Sequence, residues 1–236
     1  MNNKFRINIL FAMFAQGMSM LVSFVTNLIL PKLVTTLDYS YWQLFLFYCT
    51  YIPILSFGLT DGIYLRFGGM SKNKLKNHFV KDQFIFGFLY QLSEVMILGL
   101  IIFFFSKNRN LTIVLLFVLL YFLTYTVFNF LSNIFQAVNE TSRFSKSVIF
   151  QKVFFIIAEI IIIYFTKTSI ILIIFSYILA IFVSVLYLFY NLYSDFGVYK
   201  FSFFRGFKEV KESINQGWSL LISNLCSFLV LGTGRQ

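Results

Sequence analysis

Apolar residues in this chain come in long, nearly unbroken blocks, neither alternating nor confined to narrow stripes. Seven blocks stand out: Ile7–Leu30, Tyr41–Leu65, Phe84–Phe105, Leu111–Phe135, Val148–Phe165, Ser169–Tyr190 and Ser213–Leu231. About 20 helical residues cross the hydrocarbon core of a bilayer, so each block predicts one transmembrane helix. Lipid offers the backbone no hydrogen-bond partners, so a spanning segment has to be helical. The pattern therefore predicts an all-α fold, a polytopic membrane helix bundle of about seven spans. The first block is too long for the apolar region of a signal peptide, and Gln16, Ser19, Ser23 and Asn27 interrupt it. Pro53 predicts a kink in the second block.

Polar residues inside the blocks recur at helical spacing. Asn8, Ala12, Gln16, Ser19, Ser23 and Asn27 fall on one stripe of the first helix. Gln83, Gly87, Gln91 and Glu94 share a face in the third. Tyr125, Asn129, Ser132 and Gln136 do so in the fourth, and Ser176, Ala180, Ser184, Tyr187 and Asn191 in the sixth. Ordinary helix packing in lipid also uses small and polar residues. Several such faces together predict a polar cavity. Glu94 strengthens that expectation, since an ionisable group within the membrane faces protein or water. Lys152 and Glu159 are seven residues apart on one face and predict a structural pair, the alternative being that Glu159 binds an ion.

Charge sets the orientation. With the N-terminus in the cytoplasm, only Lys32, Lys107, Arg109, Lys167 and Arg235 of the 19 Lys and Arg residues lie outside, leaving 14 inside. This is the positive-inside pattern. The formal net charge of +10 is then a topology signal and not a nucleic-acid footprint. The chain is 59% hydrophobic and 12% charged over 236 residues; a soluble domain is about a quarter charged. Cys49 and Cys226 sit in apolar blocks and suit neither a disulfide nor a metal site, and His78 reads as a solvated loop residue. No cofactor is expected. The connections are short, the longest being Phe67–Gln83 and Asn191–Glu212, the second of which is expected to hold a surface amphipathic helix. No connection can house a soluble catalytic domain, so no enzyme is expected.

One stretch departs from the apolar pattern: "FGLTDGIYLRFGG", Phe57 to Gly69. Gly58, Gly62 and Arg66 are spaced four apart, so the glycines form a close-approach contact for a neighbouring helix. Arg66 emerges from that same face. Asp61 lies about 140° around the helix from Arg66, a poor position for a helical salt bridge. The plainer reading makes Arg66 an interfacial snorkelling residue.

"NLILPKLVTTLDYSYWQLF", "LSFGLTDGIYLRFGG", "FQAVNETSRFSKSVIF" and "NQGWSLLISNLCSFLVLGTGR" occur in an order and spacing that resemble polysaccharide (oligosaccharide-lipid) flippases. These belong to the multidrug/oligosaccharidyl-lipid/polysaccharide exporter superfamily. Members have twelve or fourteen helices in two lobes, and the resemblance is to the N-terminal half. It implies a six-helix lobe over residues 1–192, a cytoplasmic linker over 193–212 and the first helix of a second, incomplete lobe over 213–236. Gly234 stands where members carry an acid before the arginine, here Arg235.

The resemblance implies a multi-pass transporter of the bacterial cytoplasmic membrane. Its partners would be a polyprenyl-pyrophosphate-linked oligosaccharide, membrane lipids, a coupling proton or sodium ion, and polysaccharide polymerase machinery. Arg66 would hold the pyrophosphate, because guanidinium binds phosphate in a bidentate way. Gln16, Asn27, Gln91, Tyr125 and Asn129 would bind sugar hydroxyls, and Glu94, Glu159 and Asp61 would be the candidates for ion coupling. A multidrug-type exporter of the same superfamily is the nearest alternative. A membrane polymerase or glycosyltransferase is a further one, though it would need larger external loops.

Overall fold

A computed structural model describes residues 3–72, 75, 79–165, 169–193 and 200–233. His78 and Arg235 lie outside the described residues. The described chain forms helices α1 (Asn3–Leu33), α2 (Thr36–Leu55), α3 (Leu59–Phe67), α4 (Val80–Phe105), α5 (Arg109–Ala137), α6 (Thr141–Phe165), α7 (Ile170–Leu192) and α8 (Phe203–Thr233). Five of them, α1, α4, α5, α6 and α7, are long and apolar enough to cross a membrane. The bent pair α2 and α3 makes a sixth span if counted together. The fold is thus an all-α bundle of a multi-pass membrane protein.

Helix ends follow local chemistry. The Thr35 side chain accepts from the Asp38 backbone N–H at 3.2 Å and starts α2. Only Val34 and Thr35 separate α1 from α2. Pro53 lies inside α2, which ends two residues later at Leu55, and α3 sets off at 55° to it. Proline removes a backbone donor and crowds the preceding turn. The chain turns through Phe57 (φ 48°) and Gly58 (φ 80°), and glycine adopts such a φ freely. The kink expected at Pro53 is thus a full break just beyond it. Asn8 of α1 serves the start of α6: its Oδ1 accepts from Ser142 N–H at 3.2 Å, and its Nδ2 donates to the Asn139 carbonyl at 3.3 Å.

The core is aromatic and sits among α2, α5, α6 and α7. Trp42 stacks with Phe45 at 5.9 Å and with Phe155 at 6.4 Å, and Tyr177 meets Trp42 edge-on at 5.8 Å. Such ring pairs add about 0.5–1.5 kcal/mol each beyond their buried area. α7 has the highest mean hydropathy, 2.8, and half of that stretch is buried. In α4 only 6% is, and Met96, Ile97, Leu100 and Phe103 are exposed, as lipid contact requires.

α8 differs from the expected arrangement. Residues 203–233 form one continuous helix with no break at 212–213. The span expected at Ser213–Leu231 lies partly outside the described side chains, which end at Cys226. The charged first half of α8 packs along α3 and α4.

Candidate functional site

α3 and α8 are antiparallel and meet backbone to backbone. A Cβ on Gly62 would run into the Ser213 carbonyl, and one on Gly217 into the Gly58 carbonyl. A Cβ on Gly206 would strike Phe86 and the Asp82 carbonyl, so α8 also approaches α4 closely, though less so than α3. The contact expected of Gly58 and Gly62 is therefore present, and its partner is α8. Two patterns mirror each other: Gly58, Gly62, Arg66 ascending in α3, and Glu209, Ser213, Gly217 in α8.

The third rung of this ladder is ionic. Arg66 Nη2 donates to Glu209 Oε2 at 2.6 Å and lies 3.3 Å from Glu212 Oε2. Its Nη1 donates to the Glu209 carbonyl at 2.9 Å and to Ser213 Oγ at 3.0 Å. The side chains of Arg66 and Glu209 are 10% and 15% exposed, so water screens the pair little. From α4, Gln83 Nε2 donates to Ser213 Oγ at 2.6 Å, while Gln83 Oε1 is buried without a partner. Beside it, the fully buried Asp82 accepts from Arg205 Nε at 2.8 Å. The face holding α8 on α3 and α4 is thus a polar seam of matched charges. In this conformation a phosphate reaches Arg66 only by displacing both glutamates.

The remaining sequence candidates are dispersed. On α1, the seam against α6 is made by Asn8, Ala15, Val22, Thr26 and Leu30, all buried. Gln16 and Asn27 each follow a seam residue and are exposed, turned 100° away from it. Gln91 is buried at 4% and lines a cavity of about 10 Å³ with Leu59, Thr60, Gly87 and Thr126, room for about one water. Tyr125 stacks on Tyr121 at 5.1 Å and belongs to the aromatic core. Asn129 is half-buried, its carbonyl accepting from Ser132 Oγ at 3.1 Å. No single cavity among those described unites these side chains. A broader depression of about 750 Å³ opens elsewhere, lined by Lys72, Arg143, Tyr190, Asn191 and Tyr193. Arg143 there is already bound to Glu140 at 3.0 Å.

The three acids differ in setting. Asp61 lies half-buried in the first turn of α3, where a carboxylate complements the helix dipole. Glu94 is half-buried on α4, with Oε2 shielded and unpartnered. Glu159 is 4% exposed and accepts from Thr26 Oγ1 at 3.1 Å. The expected Lys152–Glu159 pair does not form among the described residues: the Lys152 ammonium lies 6.0 Å from the Tyr177 ring centre. Two turns of helix separate the two residues by about 10 Å, beyond direct contact for this pair.

Sequence reasoning missed Glu209, Glu212, Ser213, Asp82 and Thr26, and it placed Gln83 on a polar face without its partner in α8. For the α8 residues a signal existed, since the four-residue spacing of Glu209, Ser213 and Gly217 reverses that of Gly58, Gly62 and Arg66. For Thr26 none did, because a lone threonine in an apolar helix is unremarkable. The chain matches no family model, no curated protein and no solved structure.

Proposed function

We propose that the protein is a membrane transporter that moves a polyprenyl-pyrophosphate-linked oligosaccharide across the bacterial cytoplasmic membrane for surface polysaccharide synthesis. It works by alternating access and carries out no covalent chemistry. The observation that carries this reading is the open polar face of α1. Gln16, Ser23 and Asn27 are exposed on a helix whose flanks are apolar. Against lipid such a face is unfavourable, whereas against a water-filled passage it solvates sugar hydroxyls. The tight turns Val34–Thr35, Ser56–Gly58, Ser106–Asn108 and Val138–Glu140 leave transport within the helices as the work to be done.

In this scheme Arg66 is a conditional anion site. Its two glutamates neutralise it while α3 and α8 are together, and the pyrophosphate takes their place when the helices part. The basic end is cytoplasmic, in keeping with the charge bias, and polymerase machinery receives the product on the other side.

The test is reconstitution of the full chain into vesicles with a fluorescent polyprenyl-pyrophosphate oligosaccharide, following the fraction protected from a membrane-impermeant quencher. Exchange between leaflets should exceed that in protein-free vesicles. The variant Gln16→Leu with Asn27→Leu should slow it at least tenfold, the equivalent of about 1.4 kcal/mol in the barrier. Exchange no faster than in empty vesicles, or unaffected by the double variant, refutes the proposal.

A further inference from the structure

The start of α6 meets the end of α7 at the depression of about 750 Å³. Arg143, in the first turn of α6, reaches across the junction. Its Nη1 donates at 3.4 Å to the carbonyl of Asn191, in the last turn of α7, where carbonyls have no partner within their own helix. Its Nε lies 3.0 Å from Glu140 Oε2, and its guanidinium carbon lies 5.8 Å from the centre of the Phe135 ring. These contacts fix the plane of the group. Nη2 has no hydrogen-bond partner among the described residues, and the side chain is 34% exposed. Lys72, half-buried in the connection after α3, adds a second cation to the wall. No acid lines the depression among the described residues.

Below the cations the wall changes character. Tyr190 and Tyr193 are exposed at the end of α7, and Leu186, Phe182 and Phe175 are exposed further down the helix. From Phe175 the steps are seven, four, four and three residues, which keep all five on one face. A tyrosine ring sits at the level where hydrocarbon gives way to headgroups, with its hydroxyl in the wet layer. The face thus runs from hydrocarbon through tyrosine to cation, which is the order of parts in one leaflet of a bilayer. The charge bias makes that leaflet the cytoplasmic one.

Basic hollows between spanning helices on the cytoplasmic side suit anionic lipid headgroups, and about 750 Å³ is ample for one. Charge narrows the class. Glu140 holds one edge of the Arg143 guanidinium, so the open edge suits the single negative charge of a phosphodiester. The denser charge of a pyrophosphate would also be repelled by that carboxylate. We propose that the depression binds the headgroup of an anionic glycerophospholipid, its phosphate against Arg143 and Lys72 and its chains along Leu186 and Phe182. The lipid joins three segments distant in sequence: the connection after α3, the start of α6 and the end of α7. Bound there, it stabilises the folded bundle by mass action. The site does not depend on the transport reading.

The test is to melt the full chain in a neutral detergent while phosphatidylglycerol is added, with phosphatidylcholine, inorganic phosphate and polyprenyl pyrophosphate as comparisons. Phosphatidylglycerol should raise the melting temperature and saturate, whereas phosphatidylcholine and inorganic phosphate should do neither. Arg143→Gln should raise the half-saturating concentration roughly tenfold or more, because it removes a charge-assisted hydrogen bond. Tyr190→Ala, at a side chain that is 84% exposed, should keep the lipid-free melting temperature and raise half-saturation severalfold. It carries the test by itself if Arg143→Gln does not fold. Lys107→Gln, exposed at the opposite end, should change neither quantity. An equal rise with phosphatidylcholine, or half-saturation unmoved by the Arg143 and Tyr190 variants, overturns the proposal. A rise with inorganic phosphate alone overturns it by making the depression a site for free anions. Saturation by polyprenyl pyrophosphate at a lower concentration than phosphatidylglycerol needs, weakened by the same variants, overturns it by making the depression a port for the carrier lipid.

Discussion

Arg66 shows how much a single side chain's meaning depends on what stands opposite it. Read alone, it is a cation at the end of an apolar span, suited to phosphate. Opposite Glu209 it becomes the ionic rung of a helix contact, with Glu212 as a second anion. Hydrogen bonds between charged groups contribute about 1.5–3 kcal/mol, and removing one partner leaves the other desolvated. Arg66→Ala is therefore expected to lower stability by that amount, seen as a lower unfolding temperature in detergent. Adding Glu209→Gln should recover part of the loss by removing the stranded charge. A single variant that melts with the parent would show that the pair contributes nothing. Glutamine at position 91 is a contrast: its burial in a cavity of about 10 Å³ makes it a packing residue of α3, α4 and α5 in this conformation.

At the scale of helices, close approach decides the architecture. α8 lies against α3 because Gly58, Gly62 and Gly217 leave no side chains between the two backbones. Gly62→Ala should overpack that contact at a cost of about 1–3 kcal/mol. Gly17→Ala on α1, which meets open space, should be neutral or slightly stabilising in the same melting assay. Equal behaviour of the two variants would remove the glycine contact from the account.

The spans were legible because a bilayer imposes a length and a composition on any segment crossing it. Pro53 made the bend legible too, but not its form, since the break is completed by Phe57 and Gly58 at positive φ. The first half of α8 was legible as an amphipathic helix but not as a packed one. It read as a surface helix, while in the structure Glu209 and Arg205 face partners on α3 and α4. The α1 stripe was visible as a stripe, yet periodicity says nothing of the side it faces. Tyr125 shows the same limit: spacing placed it with Asn129, and ring packing drew it to Tyr121.

For the whole molecule the open question is direction in the membrane, and the 14-to-five distribution of basic residues decides the expectation. Ser71 and Lys107 are exposed at opposite ends of the bundle. With Cys49 and Cys226 replaced by serine, a membrane-impermeant thiol reagent should label Lys107→Cys on intact cells. Ser71→Cys should react only after permeabilisation. The reverse pattern would place the basic end outside and refute the cytoplasmic assignment of Arg66.

The ladder between α3 and α8 also has a history in time. Arg66 and Glu209 are 143 residues apart. A ribosome adding roughly 5–20 residues each second needs on the order of 7–30 s to supply the second after the first. For that interval Arg66, Gln83 and Asp82 stand in the nascent bundle without their α8 partners. The guanidinium must meanwhile stay hydrated at the membrane surface, so α3 cannot take its final depth until α8 is made. Docking of α3 is therefore completed only after α8 has been made.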